Sequence, residues 1–228
     1  MLEKKKALRK IIKVRVSAIS ADERQKREEI LHNNLFSMPE FLEAKSVMLF
    51  ANLPDEIDTF SLIDKCFAMG KRVYLPVING DDMTVAEFTG EYQIGRYGIK
   101  EPVINKLGIS VQTSGEPSLL GLSRVQPEIT SEASNFRNEE LGMVTELVDV
   151  SDSVPEPVEG PEHFDFVLVP GVAFSPNGYR LGRGKGYYDK FLSKQRDLFT
   201  VGVCFREQFY LDIPTEPHDI PMHKVIVC

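Results

Sequence analysis

The chain has 228 residues, of which 42% are apolar and 27% charged, enough apolar material for a folded core and too much for wholesale disorder. No run of about 18 uncharged apolar residues occurs, so no membrane span is expected, and the charged start Met1-Leu2-Glu3-Lys4-Lys5-Lys6 lacks the apolar stretch of a secretory signal. A formal net charge of −7 argues against a nucleic-acid partner.

Leu8, Ile11, Ile12 and Val16 recur at helical spacing and predict a first helix over Leu2 to Val16. Ser20-Ala21-Asp22-Glu23 reads as a capping box opening a second helix to about Phe36, with Ile30, Leu31 and Leu35 buried and Pro39 marking its end. Val47 to Ala51 is a continuous apolar run, as expected of a strand covered on both faces. Asp58 or Thr59 can cap a helix through Met69, with Gly70 as its stop. Further strands are predicted at Arg72 to Val77, at Met83 to Phe88 as an edge, at Phe164 to Pro170, at Thr200 to Phe205 and at Lys224 to Val227, with a helix from Tyr187 to Lys194. Strands alternating with helices imply an α/β domain with a mostly parallel sheet flanked by helices.

Residues 112–160 break this pattern. They hold seven serines, four prolines, ten acidic and only two basic residues, a local charge of −8, and read as a long disordered insertion in one domain spanning 1–228. The remaining 179 positions carry 25 basic and 24 acidic residues. The acidity of the chain is therefore local.

The cysteines Cys66, Cys204 and Cys228 form no CxxC pair, so neither a disulfide framework nor a cysteine zinc site is expected, and a reduced cytoplasmic setting follows. His32, His163, His218 and His223 show no metal spacing, because Pro221 interrupts the interval between the last two.

The chemistry concentrates in the stretch from Pro170 to Asp189, which leaves a buried strand and enters a helix. Gly182, Gly184 and Gly186 strip side chains from the backbone, so that N–H groups can approach an anion. Arg180, Arg183 and Lys185 crowd three cations into six residues, a repulsion that an anionic guest relieves. A polyphosphate fits that description. The order is neither that of a Walker A loop nor of a dinucleotide fingerprint.

The string from Pro170 to Asp189 closely resembles the signature of the 5-formyltetrahydrofolate cyclo-ligase family. Supporting matches are Lys5-Lys6-Ala7-Leu8-Arg9, Asp55-Glu56-Ile57-Asp58 and Asp219, and the resemblance covers about 1–106 and 162–228. It implies a fold like those of sugar-phosphate isomerases and CoA transferases, and an ATP- and Mg²⁺-dependent ring closure of a reduced folate by a cytoplasmic monomer. It further implies that Lys5, Lys6, Arg9 and the run Arg180, Leu181, Gly182, Arg183, Gly184, Lys185, Gly186, Tyr187 and Tyr188 hold ATP. By the same resemblance Ala51, Glu56 and Arg183 to Tyr187 meet the folate, Arg183 and Lys185 act on the transferred phosphoryl group, and Asp189 and Asp219 associate with magnesium. Tyr187 can equally stack on a ligand or pack. A sugar-phosphate isomerase or CoA-transferase-like enzyme, or a non-catalytic nucleotide- or folate-binding module, stand as the alternatives, with RNA binding weaker.

Overall fold

The computed structural model describes residues 1–95, 98–103, 164–195 and 198–228; the expected insertion at 112–160 lies outside them. Two long helices open the chain, α1 (Leu2–Ser17) and α2 (Ala21–Phe36), followed by a single turn and a half, α3 (Pro39–Glu43). The Ser20 hydroxyl accepts the Glu23 N–H at 3.2 Å and caps α2, while the Glu23 carboxylate turns to Arg27 Nε at 2.7 Å. Pro39 does not close α2; it stands at the first position of α3, where its missing N–H costs nothing. Leu31 and Leu35 are buried as expected, but Ile30 faces outward and His32 takes its place inside.

The sheet is built from β1 (Ser46–Met48), β2 (Arg72–Asn79), β3 (Asp82–Glu87), β6 (Phe166–Val169), β9 (Phe199–Cys204) and β10 (Lys224–Val227), with α4 (Phe60–Ala68) between β1 and β2. Its spatial order is β10-β9-β6-β1-β2-β3; all neighbours are parallel except β3, which pairs antiparallel with β2 at the edge. Side chains alternate across it. Val47, Val73, Phe166, Leu168, Val201 and Val203 face one core with Ile12, Val16, Leu31, Leu35, Phe41 and Leu62 from α1 to α4. Met48, Tyr74, Val167 and Val169 face the other with Phe191 and Leu192 of α5 (Tyr187–Ser193). The apolar runs of the central strands are thus explained by burial on both faces.

Two small hairpins escape sequence patterning. β4 (Tyr92–Ile94) pairs with β5 (Lys100–Pro102), and β7 (Ala173–Phe174) with β8 (Arg180–Leu181). Strands of two or three residues leave no periodicity to read. From β1 the chain moves outward to β2 and β3, and from β6 it moves the other way to β9 and β10. The boundary between β1 and β6 is where strand order reverses, and a crevice outside the carboxyl ends is expected there.

Candidate active site

A cavity of about 580 Å³ opens at that boundary. Phe50 and Ala51 enter it from the end of β1, Ile78 from β2, and Pro170 and Gly171 from β6. The floor of its polar half is the glycine loop, residues 182–186. Gly184 has φ +104° and Gly186 φ +69°, conformations that a side chain would strain, and Gly186 precedes α5. Gln208 steadies the neighbouring wall: its amide donates to the carbonyls of Gly171 (3.1 Å) and Val172 (3.2 Å) while its oxygen accepts the Phe205 N–H at 2.9 Å.

Every residue to which the resemblance gives a ligand, except Lys6, lines this cavity. Lys5 and Arg9 face it from α1, one turn apart; Lys6, a position further round, points to solvent. Leu2, Leu53, Pro76, Ile78, Met83 and Ile99 add an apolar wall that no linear pattern reveals, since they come from α1, the turn after β1, β2, β3 and the segment before Lys100, and only the fold assembles them.

The charges of the site are mutually compensated to different degrees. Lys5 Nζ donates to Glu216 Oε2 at 2.9 Å and to Asp219 Oδ2 at 3.1 Å. Burial pulls the Lys5 ammonium toward its neutral form, but hydrogen bonds and charge from both carboxylates more than offset it and its pKa is raised; the same lysine holds Glu216 low. Arg180 is buried, with Nη2 2.8 Å from Asp189 Oδ1 and its guanidinium over the Tyr188 ring. Burial raises the Tyr188 phenol. Arg183 reaches out of the loop to the turn after β1: Nη2 lies 2.7 Å from Asp55 Oδ1 and 2.9 Å from Glu56 Oε1, and Nε donates to the same Glu56 oxygen at 3.1 Å. Burial works against its charge and the two carboxylates outweigh that, so its pKa is raised.

Arg9 and Lys185 differ. Arg9 Nε donates to the Gly182 carbonyl at 2.8 Å, burial lowers its pKa, and among the described residues no carboxylate pairs with it or with Lys185. Two cations beside exposed loop N–H groups are therefore left to an incoming anion.

Glu216, His218 and Asp219 bring donor atoms within 4.8 Å of one another. The Asp219 carboxylate accepts the Glu216 N–H at 2.7 Å, which closes the turn that gathers them. The two acids expected at a metal, Asp189 and Asp219, do not share this group, because Asp189 is held by Arg180. Glu216 and His218 were not anticipated: Glu216-Pro217-His218-Asp219 is a turn, and a search for helical ligand spacing passes over it. His223 is structural, with Nδ1 2.9 Å from the Thr200 hydroxyl and its ring stacked on Phe199.

An open, mostly parallel sheet with a cleft at its reversal point, apolar on one side and cationic with a glycine floor on the other, defines an α/β protein with a two-sided site whose chemistry suits an anion beside an apolar group. The sequence profile of the 5-formyltetrahydrofolate cyclo-ligase family matches residues 1–228. The chain belongs to that family of enzymes. It is 27% identical to the 5-formyltetrahydrofolate cyclo-ligase of Escherichia coli K12, over 95% of this chain and 96% of that one. The mouse 5-formyltetrahydrofolate cyclo-ligase is 24% identical over 97% of this chain and 92% of its own length. The solved structure of Aquifex aeolicus 5,10-methenyltetrahydrofolate synthetase is 28% identical and superimposes with a TM-score of 0.66, covering 98% of this chain and 89% of that one.

Proposed function

We propose that this chain converts 5-formyltetrahydrofolate to 5,10-methenyltetrahydrofolate, consuming ATP and releasing ADP and phosphate. The observation that carries the reading is the two-sided cavity, in which an apolar wall meets a cationic glycine floor within one 580 Å³ space. The formyl oxygen is a poor leaving group. Its attack on the γ-phosphorus of ATP expels ADP and turns it into a phosphate ester. The side-chain nitrogen of the folate then attacks the formyl carbon, the carbon–oxygen bond breaks to release phosphate, and the nitrogen loses its proton. Such a transfer needs in-line positioning and charge neutralisation more than covalent help.

The chain's residues supply both. Arg9 and Lys185, cavity cations that pair with no carboxylate among the described residues, take the phosphates together with the N–H groups of 182–186, and Lys185 is assigned to the transferred phosphoryl. Arg183 joins them after leaving Asp55 and Glu56. Glu56 accepts from the donors of the reduced pterin, whose ring lies between Phe50, Ala51 and Ile99. Tyr187 lines the same cavity while its hydroxyl donates to the Gly80 carbonyl at 3.2 Å. The oxygen donors of Glu216 and Asp219 fit magnesium, which takes one or two carboxylates and completes its shell with phosphate and water; the ion when bound supplies neutralisation of the triphosphate. Asp189 would join only on release from Arg180. A monomer working in a reducing, cytoplasmic setting completes the proposal; the three cysteines are free thiols, which suits such a compartment.

Incubating the purified protein with 5-formyltetrahydrofolate and Mg-ATP should produce the absorbance of the methenyl product, with one ADP per turnover. Folded protein that gives no such signal refutes the activity. Turnover without nucleotide would point instead to isomerase or CoA-transferase chemistry.

A further inference from the structure

Two ligand-binding roles assigned above fall on two side chains that bind each other. Arg183 leaves the glycine loop to bond Glu56, and Glu56 uses its other oxygen, Oε2, to accept the Leu53 N–H at 2.9 Å, which fixes its carboxylate within the turn after β1. Asp55, the next residue back, holds the same guanidinium at 2.7 Å but does not line the main cavity. It lies on the far side of the pair, in a second space of about 150 Å³ that shares Arg183 and Glu56 with the first. One ion pair thus joins the two halves of the site.

We propose that the Arg183–Glu56 pair couples the two substrates, each making the other bind more tightly, and that Asp55 is a separate brake that restrains Arg183 against the nucleotide alone. The inference rests on the cyclo-ligase reading. A nucleotide entering first must pull Arg183 from Glu56, and a folate entering first must pull Glu56 from Arg183. The rupture is needed once. Whichever ligand comes second finds its partner group already free, so the affinities are linked by one reciprocal factor. Asp55 behaves differently because the folate does not touch it: its hold on Arg183 opposes the nucleotide equally with and without folate.

The test is calorimetric titration of a non-hydrolysable ATP analogue with magnesium into the full chain, with and without saturating 5-formyltetrahydrofolate. In the native chain the folate should tighten the analogue by about fivefold, the lower end of ordinary coupling, and the analogue should tighten the folate by the same factor. Asp55→Asn should bind the analogue more tightly in both conditions and keep the factor. Glu56→Gln should bind the analogue more tightly without folate, and the factor should fall to one. Asn and Gln keep the size and acceptor oxygen of each carboxylate, and equal melting temperatures identify variants that are folded.

A native chain that binds both ligands independently overturns the coupling while leaving the cyclo-ligase reading in place. Weaker analogue binding by Asp55→Asn overturns the brake, because Asp55 would then be orienting Arg183 for the phosphates. A folded native chain that binds neither ligand overturns the underlying reading and this inference with it.

Discussion

Lys185 and Lys5 sit on the same cavity with opposite surroundings. Lys5 is buried between two carboxylates, whereas Lys185 is exposed in the loop and unpaired among the described residues. Removing Lys5 leaves Glu216 and Asp219 facing each other without their cation, so its loss mixes damage to the fold with damage to binding. Removing Lys185 breaks no ion pair or side-chain hydrogen bond among the described residues. Lys185→Ala is therefore expected to melt at the native temperature while losing at least about a hundredfold in kcat, the scale of one lost transition-state contact; steady-state rates of methenyl formation and a thermal melt check both halves. Near-native turnover would remove Lys185 from the phosphoryl group. At this scale the sequence was informative wherever residues sat close together in the chain. The loop from Arg180 to Asp189 could be read as an anion cradle from its glycines and cations alone. The distant partners that neutralise Arg183, Asp55 and Glu56, lie more than a hundred positions away, and nothing in a linear pattern pairs them.

At the scale of elements, the long and periodic ones were legible, because amphipathic helices and doubly covered strands bury apolar faces at a fixed period. The edge β3 and the four residues of β10 were read in place, while the hairpin β4–β5 was not. That hairpin carries Glu101, a buried carboxyl that accepts the Ile78 N–H at 3.3 Å and against which the Gly95 backbone packs with no room for a Cβ. On α2, Glu28 accepts the Asp58 N–H at 3.0 Å. Burial is the largest influence on both and raises both pKa values. A carboxyl whose folded pKa exceeds its unfolded value adds stability that is complete below the unfolded value and is lost as pH rises through the folded one. The double variant Glu28→Gln/Glu101→Gln keeps both acceptor oxygens and removes both charges. Relative to the native chain, its melting temperature should gain at pH 8 and lose that advantage near pH 4. A constant difference across the range would contradict the sign.

For the whole molecule, the cleft is assembled from both ends of the chain and the sheet's reversal point, so ligands that fill it should tie those parts together. A nucleotide at a hundred times its dissociation constant stabilises the folded state by about 2.7 kcal/mol, which for a chain of this size is a rise of roughly 5–10 °C in melting temperature. Differential scanning fluorimetry with Mg-ADP measures it, and an unchanged melt under saturating nucleotide would contradict the nucleotide site. The Lys5 bridge has a temporal consequence. Its partners Glu216 and Asp219 are 211 and 214 positions away, while Gly182, the partner of Arg9, is 173 away. Loop-closure entropy makes such contacts slow to form. During synthesis α1 must wait, basic and without these partners, until nearly the whole chain has left the ribosome, and the pocket is among the last things to close.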